Sequence, residues 1–247
     1  MQDCDADAGI CRLPGVEAAE TPAAESVEAE LIYFGDPMCS WCWGISPQLR
    51  ALRDWSLERK LPFRLVMGGL RAGGGDPWND AFRGFLRHHW RDVAARTGQT
   101  FNEGLLAREH FDYDSEPACR AVVTARSLGV ADELEFMYRV QHGFYVDNED
   151  RKAPAFCPRI CEELGPDPDA FLQRFESDEL KRRTAEDFRQ TRRSGVSSFP
   201  TILLWLPSGF VLIARGFARF EQMRDAVAGS TGEAGTKYRE FKRLAVT

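Results

Sequence analysis

The chain has 247 residues, 43% of them hydrophobic and 28% charged, with a net charge of −6. This length and balance predict a folded protein with one large domain or one domain that carries an insertion. Apolar runs stay well short of the ~20 residues that a membrane-spanning helix needs. Residues 1–30 carry a charge of −7, which leaves +1 for the rest and gives no argument for nucleic-acid binding.

Residues 1–28 are rich in Ala, Glu, Asp and Pro, a composition typical of an acidic, disordered tail. The first residues lack the basic and apolar regions of a secretory signal, so we expect a cytoplasmic protein. In that reducing compartment, Cys4 and Cys11 are expected to be free thiols rather than a regulatory pair.

A strand, a turn and a helix follow the tail. Residues 31–34 form an apolar run that predicts a buried strand, and Gly-Asp-Pro at 35–37 predicts a turn. Apolar residues at helical spacing come next, namely Ile45, Leu49 and Leu52. Cys39 and Cys42 therefore lie at the start of a helix, where unpaired backbone amides favour a thiolate. Such a CxxC pair indicates thioredoxin-like redox chemistry, whereas a zinc site would need two further ligands in a comparable cluster.

The middle of the chain changes from sheet to helix. Residues 63–67 predict a second strand, and the glycine-rich stretch 68–75 predicts a loop that leaves the sheet. No Gly-Lys-Ser/Thr follows these glycines, which argues against a phosphate-binding loop. From about residue 77 to residue 193, apolar residues recur at helical spacing, and Asp114-Ser115 offers an N-cap. This block predicts a helical insertion.

Sheet character then returns. Residues 198–206 predict a strand opened by a proline, and Pro-Ser-Gly at 207–209 predicts a tight turn into another strand at 210–213. An amphipathic helix follows, with Phe220, Met223 and Val227 on its apolar face.

Three motifs carry a resemblance to a known family: DPMCSWCWG at 36–44, GGLR at 68–71 and GVSSFPT at 195–201. With them, the chain resembles the DsbA-like branch of the thioredoxin superfamily, and within it the FrnE-like subgroup with Cys-Ser-Trp-Cys active sites. The similarity covers about residues 29–230. It implies an α/β, thioredoxin-like fold with a large α-helical insertion between the second and third strands. The implied boundaries are 29–75 and 195–247 for the thioredoxin-like domain and 76–194 for the insertion, with the tail at 1–28.

The resemblance also implies roles for individual residues. Cys39 is the expected attacking thiol and Cys42 the expected resolving thiol, with Pro200 as a cis-proline that faces them. A cis bond would expose the backbone of Phe199 to an extended substrate. From the residues alone, a trans proline at a strand start is the alternative. The residues expected to bind substrate are Ser40, Trp41, Phe199 and Pro200.

Two departures from the family pattern concern proton transfer and the direction of reaction. Many relatives place a buried acid six residues before the first cysteine, where this chain has Tyr33, a weak base at neutral pH. Asp36 is the alternative proton acceptor, although a capping or turn role suits it equally. The dipeptide between the cysteines lacks the histidine of strongly oxidising relatives, so the direction of reaction stays open.

Other candidate chemistry is weaker. Cys157 and Cys161 are four apart on a predicted helix, where packing of two small apolar side chains competes with a second redox pair. His88 and His89 point to different sides of a helix and cannot hold one ion together. We expect no metal site and no cofactor.

The predicted function is that of a thiol–disulfide oxidoreductase or isomerase acting on protein or small-molecule disulfides, with glutathione as a further candidate partner. Neither nucleic acid nor a membrane is expected as a partner. Two alternatives remain: a non-catalytic protein-binding adaptor on a DsbA-like scaffold, and a glutathione-dependent isomerase or transferase of the kappa type.

Overall fold

A computed structural model describes residues 29–150 and 157–231, together with the backbone of two short N-terminal strands, β1 (Cys4–Asp5) and β2 (Ile10–Cys11). These two strands pair antiparallel, with Cys4 opposite Cys11. The rest of the predicted tail lies outside the described residues, as do the Cys4 and Cys11 side chains and residues 232–247.

The main β-sheet has four strands in the order β4-β3-β5-β6. Central strand β3 runs parallel to β4 and antiparallel to β5, and β5 runs antiparallel to β6. Their bounds are β3 (Glu30–Gly35), β4 (Phe63–Met67), β5 (Thr201–Leu206) and β6 (Gly209–Arg215).

Helices connect these strands in chain order. One helix follows β3, a helical block separates β4 from β5, and a last helix follows β6. The bounds are α1 (Ser40–Glu58), α2 (Asp80–Thr97), a 3₁₀ turn (Glu103–Ala107), α3 (Glu116–Ser127), α4 (Glu133–Tyr145), α5 (Cys157–Leu164), α6 (Pro168–Phe175), α7 (Asp178–Arg193) and α8 (Phe220–Ser230). This order confirms the predicted fold class, with helices inserted between the second and third strands of the four-stranded sheet. The domain boundaries themselves stay a prediction.

Strand β3 is buried on both faces, which explains why its sequence is continuously apolar rather than alternating. Leu31 and Tyr33 belong to the main core, which also takes in α1 and the inserted helices. Ile32 and Phe34 point to the other face, where a smaller cluster packs around them. The carboxyl end of this strand leads through a short turn into the CxxC segment. Among the described residues, no helix is both long enough and apolar enough to cross a membrane.

Two glycines with left-handed backbone give a matched test of packing against backbone strain. Gly69 has a φ of +67° and Gly98 a φ of +77°. A Cβ on Gly69 would lie 2.8 Å from Cδ1 of Phe188, whereas a Cβ on Gly98 would meet nothing within 4 Å. We expect Gly98→Ala to lower the free energy of unfolding by about 1 kcal/mol through backbone strain. Gly69→Ala should cost about 1–3 kcal/mol more because Phe188 must also move. Urea unfolding measures both, and equal losses would contradict this packing.

Candidate active site

Cys39 is the residue at which the loop after β3 becomes helix α1. It is the N-cap of α1 with extended backbone (φ −90°, ψ 115°), and its carbonyl accepts from the Trp43 amide at 3.1 Å. Its own amide donates to the Asp36 carbonyl at 3.1 Å, which closes the turn. The side chain does not cap the helix; its sulfur lies 3.7 Å from the carbonyl oxygen of Phe199. Cys39 is 6% exposed, so its thiol is close to the surface but mostly covered.

Cys42 lies one turn further along α1 and is 1% exposed. Its thiol contacts the Cys39 side chain, and both cysteines are unbonded thiols. Burial raises the pKa of Cys42 well above its ordinary value, and the neighbouring Cys39 thiol raises that pKa further. The Tyr33 hydroxyl and the Asp36 amide lower it in part. The two cysteines therefore differ in solvent exposure: the Cys39 sulfur is near the surface, and the Cys42 sulfur is enclosed.

The loop before β5 lies next to Cys39. The peptide bond between Phe199 and Pro200 is cis, and Pro200 is buried. Since Thr201 pairs with Phe34, this loop lies beside the end of β3. A Cβ on Gly68 would overlap the Phe199 ring, so glycine at that position leaves room for the ring. The structure thus brings together Cys39, Cys42, Phe199 and Pro200.

Asp36 is fully buried and ties three segments of the chain together. Oδ1 accepts from the Met38 amide at 2.8 Å, and Oδ2 accepts from the Leu70 amide at 2.7 Å. Oδ2 also accepts from the Ser115 hydroxyl at 2.8 Å and from the Cys119 thiol at 3.4 Å, both in the helical block. Burial raises the pKa of Asp36, and these four donors lower it in part. The carboxylate therefore joins the CxxC turn to the loop after β4 and to α3.

Tyr113 adds a further link between the insertion and the CxxC turn, because its hydroxyl donates to the Met38 carbonyl at 2.9 Å. Nothing in the sequence near Tyr113, Ser115 or Cys119 marks them as neighbours of Cys39. They belong to a segment more than 70 residues further along the chain, and local pattern carries no information about that contact.

Ser40 and Trp41, expected to bind substrate, occupy different environments. Ser40 is buried, while Trp41 is half-buried with its ring edge against the His89 ring at a centroid distance of 5.9 Å. Phe85 also contacts His89, as a stacked ring at a centroid distance of 5.7 Å, and is 54% exposed. The His89 and Phe85 rings of α2 therefore extend the aromatic surface that begins at Trp41 of α1.

His89 should make stability depend on pH in the mildly acidic range. Burial lowers the pKa of His89 from its ordinary value of 6.5. The unfolded state then takes up the proton more readily than the folded state, so stability present above pH 6.5 is lost as the pH falls below it. We expect His89→Gln to flatten this acid loss in urea unfolding. His88, 82% exposed on the same helix, is the control; an equal effect of His88→Gln would contradict the prediction.

Cys157 and Cys161 both lie buried on α5, and no disulfide joins them. Burial raises the pKa of the Cys161 thiol to about 11, which disfavours the thiolate that redox chemistry requires. The second redox pair therefore stays a prediction, with packing as the observed environment. In the parts of the chain that the structure describes, no group of three or more His, Cys, Asp or Glu could hold a metal ion.

No known family model matches the chain. A candidate protein disulfide isomerase from Nitrosomonas europaea is 31% identical, with a TM-score of 0.74 over 84% of this chain and 100% of that one. The oxidoreductase DsbA from Xylella fastidiosa, 16% identical, shares the fold at a TM-score of 0.53 over 86% of this chain and 90% of that one. The chain belongs to the DsbA-like family of thioredoxin-fold proteins. Its place in the FrnE-like subgroup stays a prediction.

Another solved relative of this DsbA-like protein is the cytosolic disulfide reductase DsbM from Pseudomonas aeruginosa. It is 25% identical with a TM-score of 0.68, over 83% of this chain and 100% of that one. A structure of DsbM with GSH is 26% identical with a TM-score of 0.66, over 83% and 98%. These relatives support thiol–disulfide oxidoreductase activity in general terms.

Two curated relatives carry a different description. Both are the ClpXP adapter protein SpxH, from Shouchella clausii and Halalkalibacterium halodurans, and both are 21% identical to the DsbA-like chain. The matches cover 82% of this chain but only 65% of the first relative and 67% of the second. The chain thus spans about two thirds of the length of these relatives.

Proposed function

We propose that this protein is a thiol–disulfide oxidoreductase or isomerase that works through the Cys39–Cys42 dithiol. One observation carries the proposal. Two unbonded thiols are in contact at the start of α1, the first near the surface and beside the Phe199 carbonyl, the second enclosed behind it. That arrangement suits a first sulfur that meets substrate and a second sulfur that can reach only the first.

The proposed reaction has two exchange steps. The Cys39 thiolate attacks one sulfur of a substrate disulfide, which forms a mixed disulfide and releases the other substrate sulfur as a thiolate. The Cys42 thiolate then attacks the Cys39 sulfur, so that the Cys39–Cys42 disulfide forms and the second substrate sulfur leaves. The substrate gains two electrons and the protein loses them. An external dithiol or two molecules of glutathione return the electrons.

The surroundings of Cys39 support a protein or small-molecule disulfide as substrate. The Phe199 carbonyl faces the attacking sulfur, and the half-buried Trp41 ring and the exposed Phe85 ring lie on the α2 side. An extended peptide could pair with the Phe199 backbone while its side chains contact the rings. The DsbM structure with GSH supports glutathione as a small thiol partner. Because DsbM is described as cytosolic, we also propose a cytoplasmic location.

Asp36 enters this proposal as a positioning residue. Its carboxylate accepts from Met38, Leu70, Ser115 and Cys119, while it is the Asp36 backbone amide that contacts Cys42. These contacts support a role in fixing the CxxC turn more strongly than the predicted role as proton acceptor.

A protein-binding adaptor is the second candidate, since two relatives are named as ClpXP adapters. The two functions differ in their need for thiols. An adaptor would keep its partner binding when both Cys39 and Cys42 are replaced by serine, whereas an oxidoreductase would lose all turnover.

Reduction of insulin in the presence of dithiothreitol, followed by turbidity, tests the proposed function. We expect the protein to accelerate precipitation of the insulin B chain, and the Cys39→Ser/Cys42→Ser variant to be inactive. The proposal would be overturned if insulin precipitated at the same rate with and without the protein, and if reduction of glutathione disulfide also showed no acceleration.

A further inference from the structure

Tyr33 is a fully buried side chain on β3 that belongs to the same core cluster as Cys39 and Cys42. Its hydroxyl has no hydrogen bond of regular geometry to any described residue. A buried hydroxyl without a partner is costly, because its interaction with water is lost and nothing replaces it. A buried hydroxyl group without a partner therefore needs a structural or functional explanation.

The neighbour of this hydroxyl is the Cys42 thiol. The two groups are close enough to affect each other's ionisation, although their geometry in the dithiol state falls short of a regular hydrogen bond. Sulfur is a weak acceptor as a thiol and a much stronger one as a thiolate. The same pair of atoms would therefore form a strong hydrogen bond once Cys42 carries negative charge.

Gly35 makes this placement sterically feasible. A Cβ on Gly35 would overlap the Tyr33 hydroxyl and ring carbons. Any other residue two positions after Tyr33 would thus force the ring away from its present position. Glycine at the carboxyl end of β3 lets the ring lie along the strand toward α1.

We propose that Tyr33 is a catalytic residue of the resolving step, acting as a neutral hydrogen-bond donor to the Cys42 sulfur while that sulfur is a thiolate. The proposal rests on the function proposed above and adds a residue to it. Tyr33 stands at the position where many relatives place a buried acid. Its proposed role is a different one, because it donates a hydrogen bond and never takes up the proton.

The exchange chemistry shows where the hydrogen bond acts. On resolution, Cys42 gives its proton to solvent and its sulfur attacks Cys39; the Cys39–substrate bond breaks and the departing substrate thiolate takes up a proton from solvent. In the reverse direction, an external thiol attacks Cys39 and Cys42 leaves as a thiolate. Both directions pass through a negatively charged Cys42 sulfur. Burial and the nearby Cys42 raise the pKa of Tyr33 well above its ordinary value, so Tyr33 keeps its proton throughout.

Reduction of the oxidised protein by dithiothreitol, followed by stopped-flow tryptophan fluorescence, tests the proposal. We expect Tyr33→Phe to slow this reduction by about tenfold, since the leaving Cys42 thiolate loses a charge-assisted hydrogen bond. Tyr33→Phe should fold, because it removes a hydroxyl that has no regular partner while it keeps the ring. Tyr145→Phe is the matched control, since Tyr145 is another fully buried tyrosine without a hydrogen bond of regular geometry, and its hydroxyl neighbours Tyr113 rather than Cys42; the rate of this variant should stay unchanged.

A second measurement separates the hydrogen bond from a general disturbance of the site. In a Cys42→Ser background, the first attack by Cys39 on a small aromatic disulfide should proceed equally fast with Tyr33 and with Tyr33→Phe. The role of Tyr33 would be overturned if Tyr33→Phe were reduced by dithiothreitol at the wild-type rate, or if Tyr33→Phe slowed the first attack by Cys39 as much as it slows the reduction. Either result would leave the dithiol function intact. Absence of any Cys39–Cys42 disulfide in the wild-type protein would instead overturn the proposed function itself.

Discussion

Cys39→Ser is expected to lower insulin-reduction turnover by about 1,000-fold or more, because loss of a covalent nucleophile costs enzymes at least this much. Cys42→Ser should also stop turnover, but by a different route. Cys39 can still attack substrate, and the mixed disulfide then persists because the enclosed second sulfur is absent. Non-reducing electrophoresis or mass spectrometry after incubation with glutathione disulfide measures the trapped species.

The matched control for these variants is Cys161→Ala, which removes a buried thiol on α5. Unchanged turnover in this control would confine the chemistry to α1, whereas a clear loss would support the second redox pair at Cys157 and Cys161. Retained turnover in both Cys39→Ser and Cys42→Ser would contradict the proposed mechanism.

Asp36→Ala is expected to lower the free energy of unfolding by about 3–5 kcal/mol, because the Met38 and Leu70 amides and the Ser115 hydroxyl lose their shared acceptor in the interior. Asp36→Asn keeps one acceptor oxygen and should lose less. Urea unfolding measures both variants. A loss below about 1 kcal/mol in Asp36→Ala would contradict the role of this carboxylate as the link between the CxxC turn and α3.

The wild type and Asp36→Asn together give a pH test. Burial raises the pKa of Asp36 above its ordinary value of 3.8, so the folded state holds this proton more tightly than the unfolded state does. The stability that follows from the raised pKa is complete below pH 3.8 and falls as the pH rises through the folded-state value. The stability advantage of the wild type over Asp36→Asn should therefore shrink as the pH is raised. An advantage that grows with pH would contradict the direction of the shift.

Local sequence pattern was enough to predict the elements that carry the two cysteines. The apolar run before Gly35, the Gly-Asp-Pro turn and the helical spacing of Ile45, Leu49 and Leu52 all act between near neighbours. Glycine-rich loops and a proline-opened strand likewise marked where β4 ends and β5 begins. The order of strands and helices followed from these local signals, which agree with one another, whereas the thioredoxin-like fold class was implied by the family resemblance of the three motifs.

Contacts between distant segments could not be predicted in this way. Asp114-Ser115 predicted an N-cap for α3, and that helix does begin there; however, the Ser115 hydroxyl donates to Asp36, 79 residues away. His89 drew attention only as a candidate metal ligand, while in the folded protein its ring contacts those of Trp41 and Phe85. Burial of Tyr33 against Cys42 depends on how α1 packs on β3 and on the missing side chain of Gly35. Periodicity shows which face of an element is apolar, but not which partner covers it.

Equilibration in glutathione redox buffers, followed by tryptophan fluorescence and by mass-spectrometric counting of free thiols, measures the dithiol most directly. Trp41 and Trp43 flank Cys42, so the signal reports this pair. We expect one reversible two-electron transition, about 30 mV for each tenfold change in the redox ratio, which joins Cys39 to Cys42 and is absent in Cys42→Ser. A titration in which Cys39 and Cys42 stay reduced across the buffer range, or pair with other cysteines, would contradict the proposed dithiol chemistry.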